Sequence, residues 1–244
     1  MRPRSTVLAA LGLAEEGANA SEIGRRLGVP RATVRDWLRG GFPHVPACEA
    51  GCTAAHRFKS LPAAYVYLLG LYLGDGSIGS HPRGVYRLRF SLDTRYPGII
   101  AACISAIGEV APGNRVGQVS HGTWVEVNCY SKSWPCLIPQ HGPGKKHERQ
   151  IALTESQQVL VDRWPRHLLR GLIHSDGCRF QNTGRCNWSS PRYSFTNHSA
   201  DIHDIFCRTC DQLGVRWTRS DRYVIYVSRK VDVALLDEFI GPKR

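Results

Sequence analysis

The sequence predicts an α+β fold in which one αββαββα unit occurs twice in a chain of 244 residues, behind a small helical segment. Three observations predict it. LLGLYLGDG at 68–76 returns as LRGLIHSDG at 169–177, so Leu68, Gly70, Leu71, Asp75 and Gly76 recur as Leu169, Gly171, Leu172, Asp176 and Gly177. Each copy runs into an alternating stretch, Tyr86, Leu88 and Phe90 against Arg87 and Arg89, then Tyr193 and Phe195 against Arg192, Ser194 and Thr196. Period two with one apolar face marks a half-buried strand whose other face is basic or polar. The first 40 residues instead space their apolar side chains as helices do.

In that segment a first helix spans 6–16, Ser21 caps a second, Gly28 supplies a turn that needs positive φ, and Pro30 opens a third. Ile23, Val34 and Trp37 then face inward and Arg31, Thr33, Arg35 and Arg39 outward. The pattern resembles the helix-turn-helix family. That resemblance implies a DNA-binding domain over 1–40 whose last helix enters the major groove, with Arg31, Thr33 and Arg35 near bases or phosphates. Asp36 on the same face narrows the contact surface, and a three-helix unit for protein contacts is the competing expectation.

Residues 41–60 form a linker rich in Gly, Pro and Ala. His44, Cys48, Cys52 and His56 stand four apart in it, a helical stripe that would suit zinc, but Pro43, Pro46 and Gly51 oppose a continuous helix. Paired-cysteine spacing is also missing, so free thiols are favoured over zinc. The first repeat occupies 61–140, a connector with HGPGKKHERQ occupies 141–164, and the second repeat occupies 165–244. Ser60 with Pro62, and Asp162 with Pro165, start the motif helices. Further helices are expected at 96–108 and 200–214, and further strands at 116–119, 124–129, 215–219 and 223–228, with a short helix closing each repeat.

Lys and Arg number 32 against 20 Asp and Glu, a net charge of +12 spread along the chain without a basic tail. This points to a polyanionic partner, most often nucleic acid. The apolar run 61–73 falls short of the roughly 20 residues of a membrane span. The opening MRPRSTVLAALGLAEEGANA imitates a signal peptide, but Glu15 and Glu16 precede its small-residue site. Nine cysteines without framework spacing indicate a reducing compartment, and the expected location is cytoplasmic.

The motif helices carry the chemistry. Gly70 and Gly74 share a helical face, as do Gly171 and Ser175, so the two helices can meet backbone to backbone. Asp75 and Asp176 would then lie side by side, each at the negative end of a helix dipole. Two adjoining carboxylates there call for a cation, and hard oxygen donors with open positions suit Mg²⁺ or Mn²⁺.

LLGLYLGDG and LRGLIHSDG resemble the two motifs of the LAGLIDADG homing endonuclease family, over residues 61–244. The resemblance implies a pair of pseudo-symmetric units forming a basic saddle over the major groove of double-stranded DNA in a monomer. It makes Asp75 and Asp176 metal ligands, with the carbonyls of Gly74 and Ser175, and implies a basic residue after the last strand of each unit. Lys132, and Arg229 with Lys230, stand there. Lys132 and Lys230 are thus candidate catalytic residues, and Arg87, Arg89, Arg192, Arg222 and Arg229 candidate DNA contacts. His174 and Ser175 depart from the apolar and small residues usual in the motif, so looser helix packing is expected. The expected function is a metal-dependent LAGLIDADG-type DNA endonuclease, and the alternative is a non-cleaving transcriptional regulator on the same scaffold.

Overall fold

The computed structural model describes residues 4–39, 61–184, 188–241 and 243, and the chain forms two units, 1–56 and 57–244. The stripe 44–56 lies outside the described residues. In the first unit α1 (Arg4–Glu15), α2 (Ala20–Leu27) and α3 (Arg31–Leu38) close over Val7, Ile23, Val34 and Trp37, all buried. Asn19, not Ser21, caps α2. Its Oδ1 accepts from the Ser21 and Glu22 amides at 3.0 and 3.2 Å, while Glu22 accepts from the Asn19 amide at 3.0 Å. Since α2 begins at Ala20, Ser21 already sits in its first turn, past the cap position. Gly28 ends α2 in the left-handed region at φ 61°, as expected.

The second unit carries the repeat. Its first copy is α4 (Ala63–Gly74), β1 (Gly76–His81), β2 (Val85–Asp93), α5 (Pro97–Val110), β3 (Val116–Ser120), β4 (Trp124–Ser131) and α6 (Trp134–Leu137). After α7 (Glu155–Arg163) the second copy is α8 (Pro165–Asp176), β5 (Gly177–Thr183), β6 (Ser189–Thr196), α9 (Ala200–Gln212), β7 (Thr218–Arg219), β8 (Val224–Val227) and α10 (Lys230–Ile240). Both sheets are antiparallel with the same order, β1-β2-β4-β3 and β5-β6-β8-β7. The alternation seen in the sequence sets their faces: Leu88, Phe90, Val127 and Cys129 point into the core from one sheet, Tyr193, Phe195, Ile225 and Val227 from the other.

Three local expectations change. The connector holds a helix, α7, so Asp162 lies in its last turn and Trp164 precedes Pro165 as the cap of α8. The strand expected at 215–219 pairs only at Thr218 and Arg219. Cys103, Cys129, Cys207 and Cys210 are buried free thiols, whereas Cys136 is disulfide-bonded, which departs from the reduced cysteines expected of a reducing compartment. Every residue of α4 from Tyr65 to Leu73 is buried, as an all-apolar helix must be. No described helix is long and apolar enough to cross a membrane.

Candidate metal and nucleic-acid site

Small residues bring α4 and α8 together. A Cβ on Gly70 would meet the Leu168 carbonyl oxygen at 2.6 Å, and one on Gly171 the Tyr67 carbonyl oxygen at 2.3 Å, so the two backbones are in direct contact. The packing is not loosened by His174 or Ser175. His174 is buried between the Tyr67 hydroxyl, 2.9 Å from Nδ1, and the Ile240 carbonyl, 3.0 Å from Nε2, and Ser175 donates back to the Gly171 and Leu172 carbonyls. Both polar groups are satisfied, so neither costs the contact.

At the C-terminal ends the helices remain in touch, since a Cβ on Gly74 would stand 2.2 Å from Ser175 Oγ and 2.9 Å from Asp176 Oδ2. Asp75 caps α4 and Asp176 ends α8. Protein crowding the Asp75 carboxyl, and then the Asp176 charge, push its pKa up to about 6 although the residue keeps an opening to solvent. Burial also raises Asp176, opposed by a 2.6 Å hydrogen bond from Asn197 Nδ2.

Two lysines answer this charge. Lys146 Nζ donates to the Tyr72 carbonyl and, at 2.6 Å, to the Gly74 carbonyl, with the Tyr72 ring 4.8 Å below it. Lys243 Nζ donates to the carbonyls of Ser175 and Gly177. Burial lowers both ammonium pKa values, that of Lys146 to about 8, while the aspartates pull them back up. A cation at a helix C-terminus is favourable in itself.

The arrangement forms two half-sites crossed between the repeats. A cavity of about 400 Å³ holds Asp176 with Gly74, Lys146, His147, Asn197 and His198, and a second of about 240 Å³ holds Asp75 with Ser175, Lys243, Asp93 and Tyr96. Lys132 and Lys230 line neither cavity and stand exposed, one after β4 and one at the start of α10. Lys146 and Lys243 lie in connecting and terminal segments whose return to the helix ends no local pattern encodes. The basic run around Lys146 was the single sequence signal.

Solved structures share this architecture. Mesophilic variants of the homing endonuclease I-DmoI are 17% identical over 74% of this chain and 96% of theirs, with a TM-score of 0.51. I-DmoI in complex with DNA and Mn is 18% identical over 74% of this chain and 97% of its own, also at 0.51. The second unit has the LAGLIDADG fold. A family model described as a Homeodomain-like domain matches residues 3–40. No curated protein matches the chain by sequence.

Within the LAGLIDADG fold the expected basic residues divide by sheet. Arg87 and Arg89 stand on the outer face of β2, Arg87 paired with Glu126 and Arg89 donating from Nε to Ser77 Oγ at 2.9 Å. Arg192 lies over the Tyr226 ring at 4.9 Å. Arg222 is exposed in the turn before β8, over the Tyr223 ring at 4.5 Å, and exposed Arg229 approaches Asp232 at 3.8 Å. In the first unit Arg31 and Arg35 are exposed on α3 and Thr33 is half-buried.

Among the described residues no cluster of three or more His, Cys, Asp or Glu forms a metal site. The two-carboxylate donor set still fits a divalent ion of the Mg²⁺ class, which usually takes one or two carboxylates and leaves the rest of its shell to phosphate and water. Burial first, and the Asp176 charge second, keep the Asp75 pKa raised with both lysines in place.

Proposed function

We propose that the chain is a DNA-binding endonuclease that hydrolyses phosphodiester bonds in duplex DNA with Mg²⁺ or Mn²⁺. A single observation carries this: two helix C-termini from the two repeats set Asp75 and Asp176 together, with one lysine at each half-site. One chain then supplies both half-sites, so a monomer suffices. Asp75 and Asp176 would hold the metal, with the Gly74 and Ser175 carbonyls available once the ammonium groups move aside. Bound there, a divalent ion supplies Lewis-acid stabilisation of phosphate oxygens and lowers the pKa of water.

The chain's own groups do the rest. Asn197 orients Asp176. Lys146, with its pKa brought to about 8, is poised near neutral pH to hand a proton to a departing oxygen, and Lys243 has the matching place. These two take the part first expected of Lys132 and Lys230, which with Arg229 serve as phosphate contacts. Arg31, Thr33 and Arg35 of α3, together with Arg87, Arg89, Arg192 and Arg222, bind the duplex.

The test is incubation of purified protein with a library of random duplexes and Mg²⁺ or Mn²⁺. We expect nicks or cuts from the wild type, and none from Asp75→Asn or Asp176→Asn, with duplex affinity nearly unchanged in both. One specific observation favours a second reading, a non-cleaving DNA-binding regulator: the lysines already occupy the Gly74 and Ser175 carbonyls. Tight binding with metal-insensitive silence across the library would establish that reading and overturn the first.

A further inference from the structure

The two half-sites at the seam share their central charges. Asp75 and Asp176 each act on both Lys146 and Lys243, so these four groups form one common set. What surrounds them differs. The cavity of Asp176 is lined in addition by Lys145 and Arg149, and the cavity of Asp75 by Asp93. Charges just outside temper this contrast without reversing it: Glu148 stands 3.7 Å from Lys145, and Arg95 pairs with Asp93 at 2.6 Å. The first side keeps a surplus cation, and the second keeps none.

The donors differ in the same sense. Arg149 spends Nη1 and Nη2 on the carbonyls of Gln140, Gly142, Pro143 and Gly144, all within 3.2 Å. Acceptors that would repel an anion are thereby turned onto a guanidinium, and the connector is fixed with Lys145 exposed beside the cavity. His147 and His198, exposed and with rings 5.5 Å apart, line the same cavity and bring ring N–H groups to it. The Asp75 cavity has one imidazole, His174, and both its nitrogens are already engaged.

Each backbone phosphate of DNA carries one negative charge, and only cations and N–H or O–H donors can meet it. We infer that the Asp176 half-site is a phosphate anchor. Without any metal it holds the backbone of one strand through Lys145, with Arg149 behind it. The Asp75 half-site, with Asp93 in its wall, repels the other strand's phosphate until the charge there is offset. This deepens the proposed function and rests on DNA lying across the seam. The two strands are therefore engaged unequally despite the internal symmetry of the protein.

The experiment uses the full-length chain in EDTA and a duplex that it retains from a randomised library. Single phosphates along each strand are replaced by methylphosphonate, which carries no charge, and affinity is measured for each. In the wild type, one strand should contain a central position whose replacement lowers affinity by on the order of tenfold, while facing positions of the other strand change it by less than about twofold. Lys145→Gln should remove that penalty and reduce the slope of log affinity against log salt by about 1. Asp93→Asn should give the other strand a penalty of its own. Equal penalties on the two strands, or a penalty that Lys145→Gln leaves in place, overturn the inference and leave DNA binding and cleavage standing. Where Mg²⁺ produces cuts, the strand with the large penalty should be nicked first, and the reverse order also overturns the inference. Unequal penalties without any cutting support the anchor and overturn cleavage alone. Failure to retain any duplex overturns both.

Discussion

His174 shows what a single polar residue can do inside an apolar motif. The Ile240 carbonyl can only accept, so Nε2 carries the proton, and Nδ1 accepts from the Tyr67 hydroxyl. The imidazole is thus held neutral, and burial lowers its pKa to about 4. Its folded pKa lies below the unfolded value of about 6.5, so the unfolded chain binds the extra proton first. The stability from this residue is complete above pH 6.5 and is lost as pH falls towards 4. Denaturant unfolding at pH 7 and pH 4.5 should show a loss on the order of 2 kcal/mol in the wild type that His174→Leu lacks. The variant should be weaker at pH 7 by about 1–3 kcal/mol because the Tyr67 hydroxyl loses its partner. Equal pH dependence in both proteins would refute the assignment. None of this was legible in LRGLIHSDG, because both partners come from distant segments. Asp75 and Asp176 were legible since their own motif positions place them. Lys146, Lys243 and Asn197 were not, because a connector, the chain end and a post-strand turn bring them in.

At the level of elements, the contact between α4 and α8 decides whether the two repeats become one molecule. It was readable in advance because Gly70, Gly74, Gly171 and Ser175 repeat at helical spacing, and the sheets were readable because Arg87, Leu88, Arg89 and Phe90 alternate. Helix α7 escaped notice: its polar run Glu155–Arg163 has weak periodicity, and its start depends on Thr154, whose Oγ1 accepts from the Gln157 amide at 3.2 Å. β7 shrank to two residues for lack of ladder partners beyond Tyr226 and Ile225. The helix contact gives a sharp comparison of two identical chemical changes. Gly171→Ala drives a methyl group into the Tyr67 carbonyl and Leu71 amide, where only backbone movement can relieve it, and should cost about 3 kcal/mol or more. Gly108→Ala, inside α5 with nothing within 4 Å of the added carbon, should stabilise by roughly 0.5–1 kcal/mol. Unfolding midpoints measured side by side check the pair. Similar effects from both substitutions would mean that α4 and α8 do not approach this closely.

Across the whole molecule, the seam between the repeats carries two like charges, and the fold must neutralise them whether or not an ion is bound. Lys146 and Lys243 do so from either side of the second repeat's helices and strands, one from the connector before them and one from the segment after α10, each on the carbonyls of a different motif helix. On the proposed function, a divalent ion at the two carboxylates would compete with the lysines for the Gly74 and Ser175 carbonyls. Replacing both by methionine keeps the aliphatic stems and removes the charges. The metal-free double variant Lys146→Met with Lys243→Met should melt below the wild type, since the aspartates then repel without compensation. It should also bind Mn²⁺ more tightly, so that at one fixed Mn²⁺ concentration its melting temperature rises further than that of the wild type. Stabilisation follows RT ln(1 + [L]/Kd), so a tenfold tighter site adds about 1.4 kcal/mol at saturating ion, or roughly 3–6 °C for a chain of this size. Melting curves in EDTA and in Mn²⁺ give both quantities without any need for a DNA target. If the variant gains no more from Mn²⁺ than the wild type does, the ammonium groups are not stand-ins for the ion, and the coupling between the lysines and the acidic seam is wrong.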